Sequence, residues 1–311
     1  MSRFTYGLSL CLTGFLLMST GPVRAATLYV SCGGKTGFSS IGAALKALQY
    51  SEGHGANTIN VSGSCHENVV IQSLDRLTLN AINGASVSDA SGGSLDVILI
   101  QDSRDVSVNG FTINAGSGPN ANGIDCSEYS LCRLSGNVIQ GAAGDSGVAV
   151  FAASNATLDG DTLQNNGIGL LVRTGSTVRS GGQGRPITAQ NNGQGINIAR
   201  NATVAIAVVI TNSSNVGARA RFHSTMDLSG SISGSGSAGV YISEASSAWL
   251  GATISANAGP GVLIQDLSMV TFTGGTVTGN GGGADVVCNP QFSATRGVGA
   301  TGAIAPSCNE P

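Results

Sequence analysis

The sequence predicts a right-handed parallel β-helix, a solenoid of coils of about 22 residues each. Three observations predict it. One short pattern recurs nine times along the chain at nearly constant spacing. Apolar residues alternate with period two inside each copy. Glycine and asparagine collect where the chain must turn between copies.

Composition sets the limits first. Of the 311 residues 47 are glycine, only 5% are aromatic and 10% charged, which would suit a linker, but the 41% apolar content can fill a core. The glycines keep no three-residue period, so collagen is excluded. The chain opens Met1-Ser2-Arg3, continues into an apolar run from Tyr6 to Met18, and then reads Gly21-Pro22-Val23-Arg24-Ala25. That is the form of a secretory signal peptide over 1–25, cut after Ala25. The run is short for a bilayer span, which needs about 20 residues, and no later segment is long and apolar enough to cross, so no transmembrane segment is expected after cleavage. Cleavage leaves 12 basic against 17 acidic residues, a net charge of −5. A mildly acidic chain with no basic run does not suit nucleic acid as a partner. The mature protein is expected to be secreted or periplasmic.

Residues 26–75 read as an N-terminal cap and first coil. Ser39-Ser40 can cap a helix running to about Gln49, with Ile41, Ala44, Leu45 and Leu48 at helical spacing. Strands follow at Thr58–Ser62, Asn68–Ile71 and Leu77–Asn80.

Residues 76–290 carry the coils. The copies start at Val97, Gly123, Gly147, Gly167, Gly195, Gly217, Gly239, Gly261 and Gly283, at intervals of 26, 24, 20, 28, 22, 22, 22 and 22. In the copy at Gly239, Val240 and Ile242 point one way and Tyr241 the other. A single coil cannot bury its apolar residues. Stacked coils can, each strand pairing in parallel with its equivalent about 4.8 Å away. Residues 291–311 form a C-terminal tail.

The helix IGAALKALQ, the segment NTINVSGSCHENVVI and the GVxI copies resemble the pectin-lyase-like superfamily of β-helix repeat proteins, across nearly all of 27–290. The resemblance implies the fold; activity differs among its members, which include lyases, hydrolases, esterases, epimerases and proteins without known chemistry. Six cysteines remain after Cys11 leaves with the leader. Their even number in an exported chain suggests disulfides. Cys32 and Cys65 flank the capping helix, and Cys288 with Cys308 would tie the tail to the last coil. Cys126 and Cys132 lie on inward columns beside one corner, either bridged or as two buried thiols.

Enzymes of the superfamily carry their chemistry on outward positions of one strand ladder, which here would be Leu99, Asp125, Ala149, Gly169, Asn197, Arg219, Tyr241, Leu263 and Asp285. The paired acids of a polygalacturonase are incomplete: Gly53-His54-Gly55 precedes the coils, and Gly144-Asp145 supplies a single acid. Asp102, Asp125 and Glu128 are candidate calcium ligands, and no other cofactor is required. Arg219, Tyr241 and His223 are candidate catalytic residues, the arginine to neutralise a uronate carboxylate and the other two to move protons. Asn197, Arg221 and Trp249 are candidate substrate contacts. Because no family catalytic set is complete, the sequence favours an exported protein that binds a polysaccharide or cell-envelope glycan or serves as a surface component. The alternative is a polysaccharide (uronate) lyase or epimerase.

Overall fold

The computed structural model describes residues 25–50, 55–289, 294–297, 300–301 and 308. The leader (apart from Ala25), His54 and most of the tail lie outside them. The chain is a β-solenoid of about ten turns. One side of every turn contributes a strand to a ten-stranded parallel sheet, running in unbroken chain order from Val69–Gln72 to Val286–Asn289. The other sides form a nineteen-stranded sheet with the same coil-to-coil pairing.

Alternation produces these strands. Val240, Ile242, Val262 and Ile264 are fully buried and pair in register, while Tyr241 and Leu263 between them face out. Burying each such aliphatic side chain is worth roughly 1.5–3 kcal/mol, and the stack repeats it along one continuous core.

Two columns at the corners fix the register. The first is serine: the backbone N–H of Ser103 donates to Ser130 Oγ, Ser130 to Ser154, and Ser154 to Ser176, at 3.0–3.2 Å. It resumes from Ala202 to Ser224, then to Ser246 and Ser268. Each hydroxyl thus satisfies a buried donor that the turn takes out of the ladder. Ala202, fully buried, interrupts the column between Ser176 and Ser224. Ala202→Ser is therefore expected to stabilise the fold by about 1 kcal/mol, read as a higher urea midpoint. An unchanged or lower midpoint would mean that this turn has no donor to satisfy.

The second column is glycine. A Cβ at Gly169, Gly195 or Gly217 would lie 2.5 Å from the carbonyl oxygen of the matching glycine on the next coil. Side chains are excluded here by the approach of neighbouring backbone.

This column corrects the repeat boundaries. Val148 pairs with Leu170, so Gly169, not Gly167, matches Gly147. Val262 pairs with Val286, so the last copy begins at Asp285. The outward ladder is accordingly Leu99, Asp125, Ala149, Leu171, Asn197, Arg219, Tyr241, Leu263 and Val287. Gly169 and Asp285 are not on it. Gly167 and Gly169 are equally good starts in the sequence; only the packing of Leu170 and Val172 into the core separates them.

A helix lies over the N-terminal end of the stack. Helix α1, Ile41–Tyr50, covers the first coil with Ile41, Ala44, Leu45 and Leu48 buried. Ser40 Oγ accepts from the Ala43 N–H at 3.1 Å. The Glu67 carboxylate accepts from Ile41 N and Gly42 N at 2.7 and 3.0 Å, placing a negative charge at the helix N-terminus. All three disulfides form: Cys32–Cys65 beside this cap, Cys126–Cys132 inside the third coil, and Cys288–Cys308 from the last strand to the tail. Among the described residues no helix is long and apolar enough to cross a membrane.

Candidate active site on the ten-stranded sheet

The outward face of the ten-stranded sheet carries a cleft of about 640 Å³ near its third to fifth strands. Its lining includes Asp96, Asn122, Asp125, Asp145, Phe151 and Arg173. Strand alternation supplies Asp125 and Arg173, because their neighbours Ile124, Cys126 and Val172 turn into the core. The loops entering the strands supply the acids. Asp96 Oδ1 accepts from the backbone N–H and side-chain amide of Asn122 at 2.8 and 2.9 Å. Asn122 Oδ1 accepts from the Ser146 N–H at 3.2 Å, and Ser146 Oγ donates to Asp145 Oδ1 at 3.1 Å. One hydrogen-bonded chain across three coils therefore holds Asp96 and Asp145 beside Asp125.

Asp125 is 7% exposed, and its Oδ1 has no hydrogen-bond partner. Burial pushes its carboxyl up to about 7, with the Asp96 charge adding to the effect. A hydrogen bond from Ser127 opposes this, and Asp145 and Glu128 reinforce it. Burial also raises Asp96, against the Asn122 bonds. Arg173 presents an unpartnered Nε. Burial lowers its affinity for its proton, as does repulsion from Arg200, while Asp145 counters. A carboxyl poised near neutrality thus shares a cleft with a cation that has no counter-ion in contact among the described residues, which is the equipment for proton transfer next to an anionic group.

The sequence-derived candidates separate. Arg219 and Tyr241 pair on successive strands, with the guanidinium carbon 5.0 Å from the ring centroid. Tyr241 donates its hydroxyl proton to Gln265 Oε1 at 2.7 Å. Asn197 precedes them in the column, and Arg221 stands beside Arg219 on the same face. His223 is exposed on the following corner, with φ 58°. Trp249 is half-exposed on the nineteen-stranded sheet, between Asp227 and Thr271, and does not belong to this face. Of the candidate calcium ligands, Asp102 and Glu128 stack at one corner through an Asp102 N–H to Glu128 carbonyl bond. Asp125 lies on the strand face, and the three carboxylates do not gather within ligating reach. Among the described residues the one group that brings three such atoms within 4.8 Å is Cys32, Cys65 and Glu67, whose sulfurs are bonded to each other.

The sequence reading missed Asp96 and Arg173. The misplaced start at Gly167 hid Arg173, since the corrected register puts it level with Ala199 and Arg221.

No protein-family model matches the chain. No curated protein is similar to it at a significant level. Solved structures are. The mannuronan C-5 epimerase AlgE4 A-module of Azotobacter vinelandii superposes with a TM-score of 0.58 at 14% identity, over 87% of this chain and 94% of that one. The likeness is one of fold, a parallel β-helix. The AlgE6 A-module of the same organism gives a TM-score of 0.53 at 16% identity, over 86% and 91%. A point mutant of the periplasmic alginate epimerase AlgG gives 0.51 at 11% identity, over 79% and 77%. These likenesses match the sequence expectation for the fold, a parallel β-helix.

Proposed function

We propose that the protein is a polyuronate lyase or epimerase, and that Asp125 moves the proton. The observation that carries this is one cleft lined by the buried Asp125 carboxyl, whose Oδ1 lacks a hydrogen-bond partner, and by Arg173, whose Nε lacks one too. Removing the proton next to a uronate carboxylate needs that carboxylate neutralised and a base whose affinity for protons is near ambient pH. Arg173 neutralises and Asp125 accepts the proton. Return of a proton to the opposite face inverts the carbon. Alternatively the electron pair forms a double bond to the neighbouring carbon, whose bond to the glycosidic oxygen breaks, and that oxygen takes up a proton. Asp125, protonated in the first step, is at hand to supply that proton, and solvent water the one returned in inversion.

This reading fits better than the non-catalytic binder that the sequence favoured, because a purely structural face has no use for a buried carboxyl with an unsatisfied oxygen in its cleft. The epimerase names among the structural neighbours support uronate as the substrate class. The periplasmic neighbour and the three disulfides support an oxidising compartment outside the cytoplasm.

The test is incubation with polymannuronate and polygalacturonate in deuterated buffer. Deuterium entering the carbon beside the carboxylate, or ultraviolet absorbance from unsaturated ends, is the expected result. Neither signal on any polyuronate overturns the proposal. With the substrate that responds, Arg173→Gln should raise KM by about 10- to 100-fold, since the lost bond is a charged one. A KM unmoved by that change would remove Arg173 from the site.

A further inference from the structure

The cations of the face all lie to one side of the cleft. Outward from Asp125 toward the N-terminal cap, the two outward columns hold Leu99 and Val70, and Gln101 and Gln72, with no charge. Toward the C-terminus, the same columns hold Arg173, Asn197, Arg219 and Arg221 before reaching Tyr241. Beyond Tyr241 they carry Leu263 and Val287, again uncharged.

The cationic stretch is also unsatisfied by the protein itself. Arg173 Nε, Asn197 Oδ1, Arg219 Nε and Arg221 Nε are all buried atoms without a hydrogen-bond partner. Among the described residues the ion pairs are Arg133–Asp105 and Arg185–Asp159, so none of these arginines has a counter-ion in contact. They act on one another instead. Burial, then repulsion from Arg219 and Arg173, weakens the hold of Arg221 on its proton, with Glu244 only partly opposing and Arg200 adding to the repulsion. Four arginines within mutual electrostatic reach, in a chain with net charge −3, cost stability unless an anion occupies them. Tyr241 ends the run as a fixed ring, held by Arg219 on one side and by its hydroxyl bond to Gln265. A ring so held offers a flat surface to the apolar face of a sugar.

We propose that the polyanionic chain binds one-sidedly, with its reacting unit over Asp125 and Arg173 and its remaining units running only toward the C-terminal coils, across Arg219 and Arg221 to Tyr241. The proposal rests on the uronate reading for the identity of the anion. From the third to the eighth strand is five coil steps, about 24 Å, and a pyranose unit is about as long as one step. The track therefore measures about five units on one side of the reacting one and none on the other.

The experiment uses the full-length mature protein and uronate oligomers of two to eight units, each tagged at one end. Dissociation constants come from calorimetry and kcat/KM from the proton-exchange assay. Affinity should rise with each added unit and level off at about six, and reaction should occur near the same end of every oligomer. In Arg219→Gln/Arg221→Gln the gain from three to six units should shrink by about tenfold per lost charge. A carboxyl-reduced oligomer should show no gain. Circular dichroism establishes that the variant is folded.

Equal gains from extension at either end would overturn the proposal. So would a double variant that weakens trimer and hexamer by the same factor. If no uronate turns over yet length-dependent binding persists and depends on the two arginines, the track stands and the catalytic reading falls. If turnover occurs without any length dependence, the catalytic reading stands and the track falls.

Discussion

Asp125→Asn is expected to lower turnover of the responsive polyuronate by about 10³-fold, within the range that a positioned acid–base group contributes. The substitution keeps the shape of a side chain that is 7% exposed, and its neighbours Ile124 and Cys126 hold the strand, so folding should survive. Binding of the uronate should weaken far less than turnover, because Arg173 supplies the charge that faces the substrate. The pH profile gives a second reading. Burial and the Asp96 charge place the carboxyl at about 7, so the base form of the free enzyme appears as pH rises through that value. In the wild type kcat/KM should rise with a limb near pH 7, and in the variant the limb should vanish together with the rate. The same shift bears on stability. A folded-state value above that of an unfolded aspartate means that the contribution of Asp125 is fully present below about pH 4 and is lost as pH rises through 7. Asp125→Asn should therefore flatten the fall in stability over that interval. A variant with wild-type turnover would remove Asp125 from the proton chemistry.

Gly217→Ala should cost about 3 kcal/mol of stability. The new Cβ would lie 2.5 Å from the Gly239 carbonyl oxygen and 2.7 Å from Ile232 Cγ2. Neither neighbour can retreat. The carbonyl belongs to the next coil's backbone, and Ile232 is fully buried in the core. Relief requires the seventh and eighth coils to separate, which lengthens the pairing between Ala218–Arg221 and Val240–Ile242. Gly182→Ala is the control, since a Cβ there meets nothing within 4 Å, and it should be neutral or slightly stabilising. Thermal or urea unfolding of the two variants decides the matter. Equal midpoints would show that the glycine column is not what sets the spacing of the coils.

The amino-acid sequence by itself determined the solenoid, the capping helix and two of the cysteine pairs. The reason is that each of these is written in local terms. Alternating apolar residues fix which way each side chain of Val240–Ile242 points, whatever surrounds it, and a 22-residue interval then brings like positions together. Arg219 and Tyr241 could be paired in advance because the coils from Gly195 to Gly261 repeat without insertions. The serine column was equally legible, as serines recurring at the intervals of the coils, though it is recognisable only once the corner they share is known.

Tertiary structure decided the rest. Asp96 and Asp145 stand 49 positions apart in loops of unequal length, and they flank Asp125 only because Asn122 and Ser146 tie those loops across three coils. No periodicity encodes such a bond. The choice between Gly167 and Gly169 depended on which residues fill the core, and that choice moved Arg173 onto the face of the site. Trp249 shows the same limit in the other direction. Alternation turned it outward, as expected, but outward from the nineteen-stranded sheet. Period two gives a side chain its direction relative to its own strand, whereas the side of the solenoid that strand occupies is set by the corners, through contacts between residues a full coil apart.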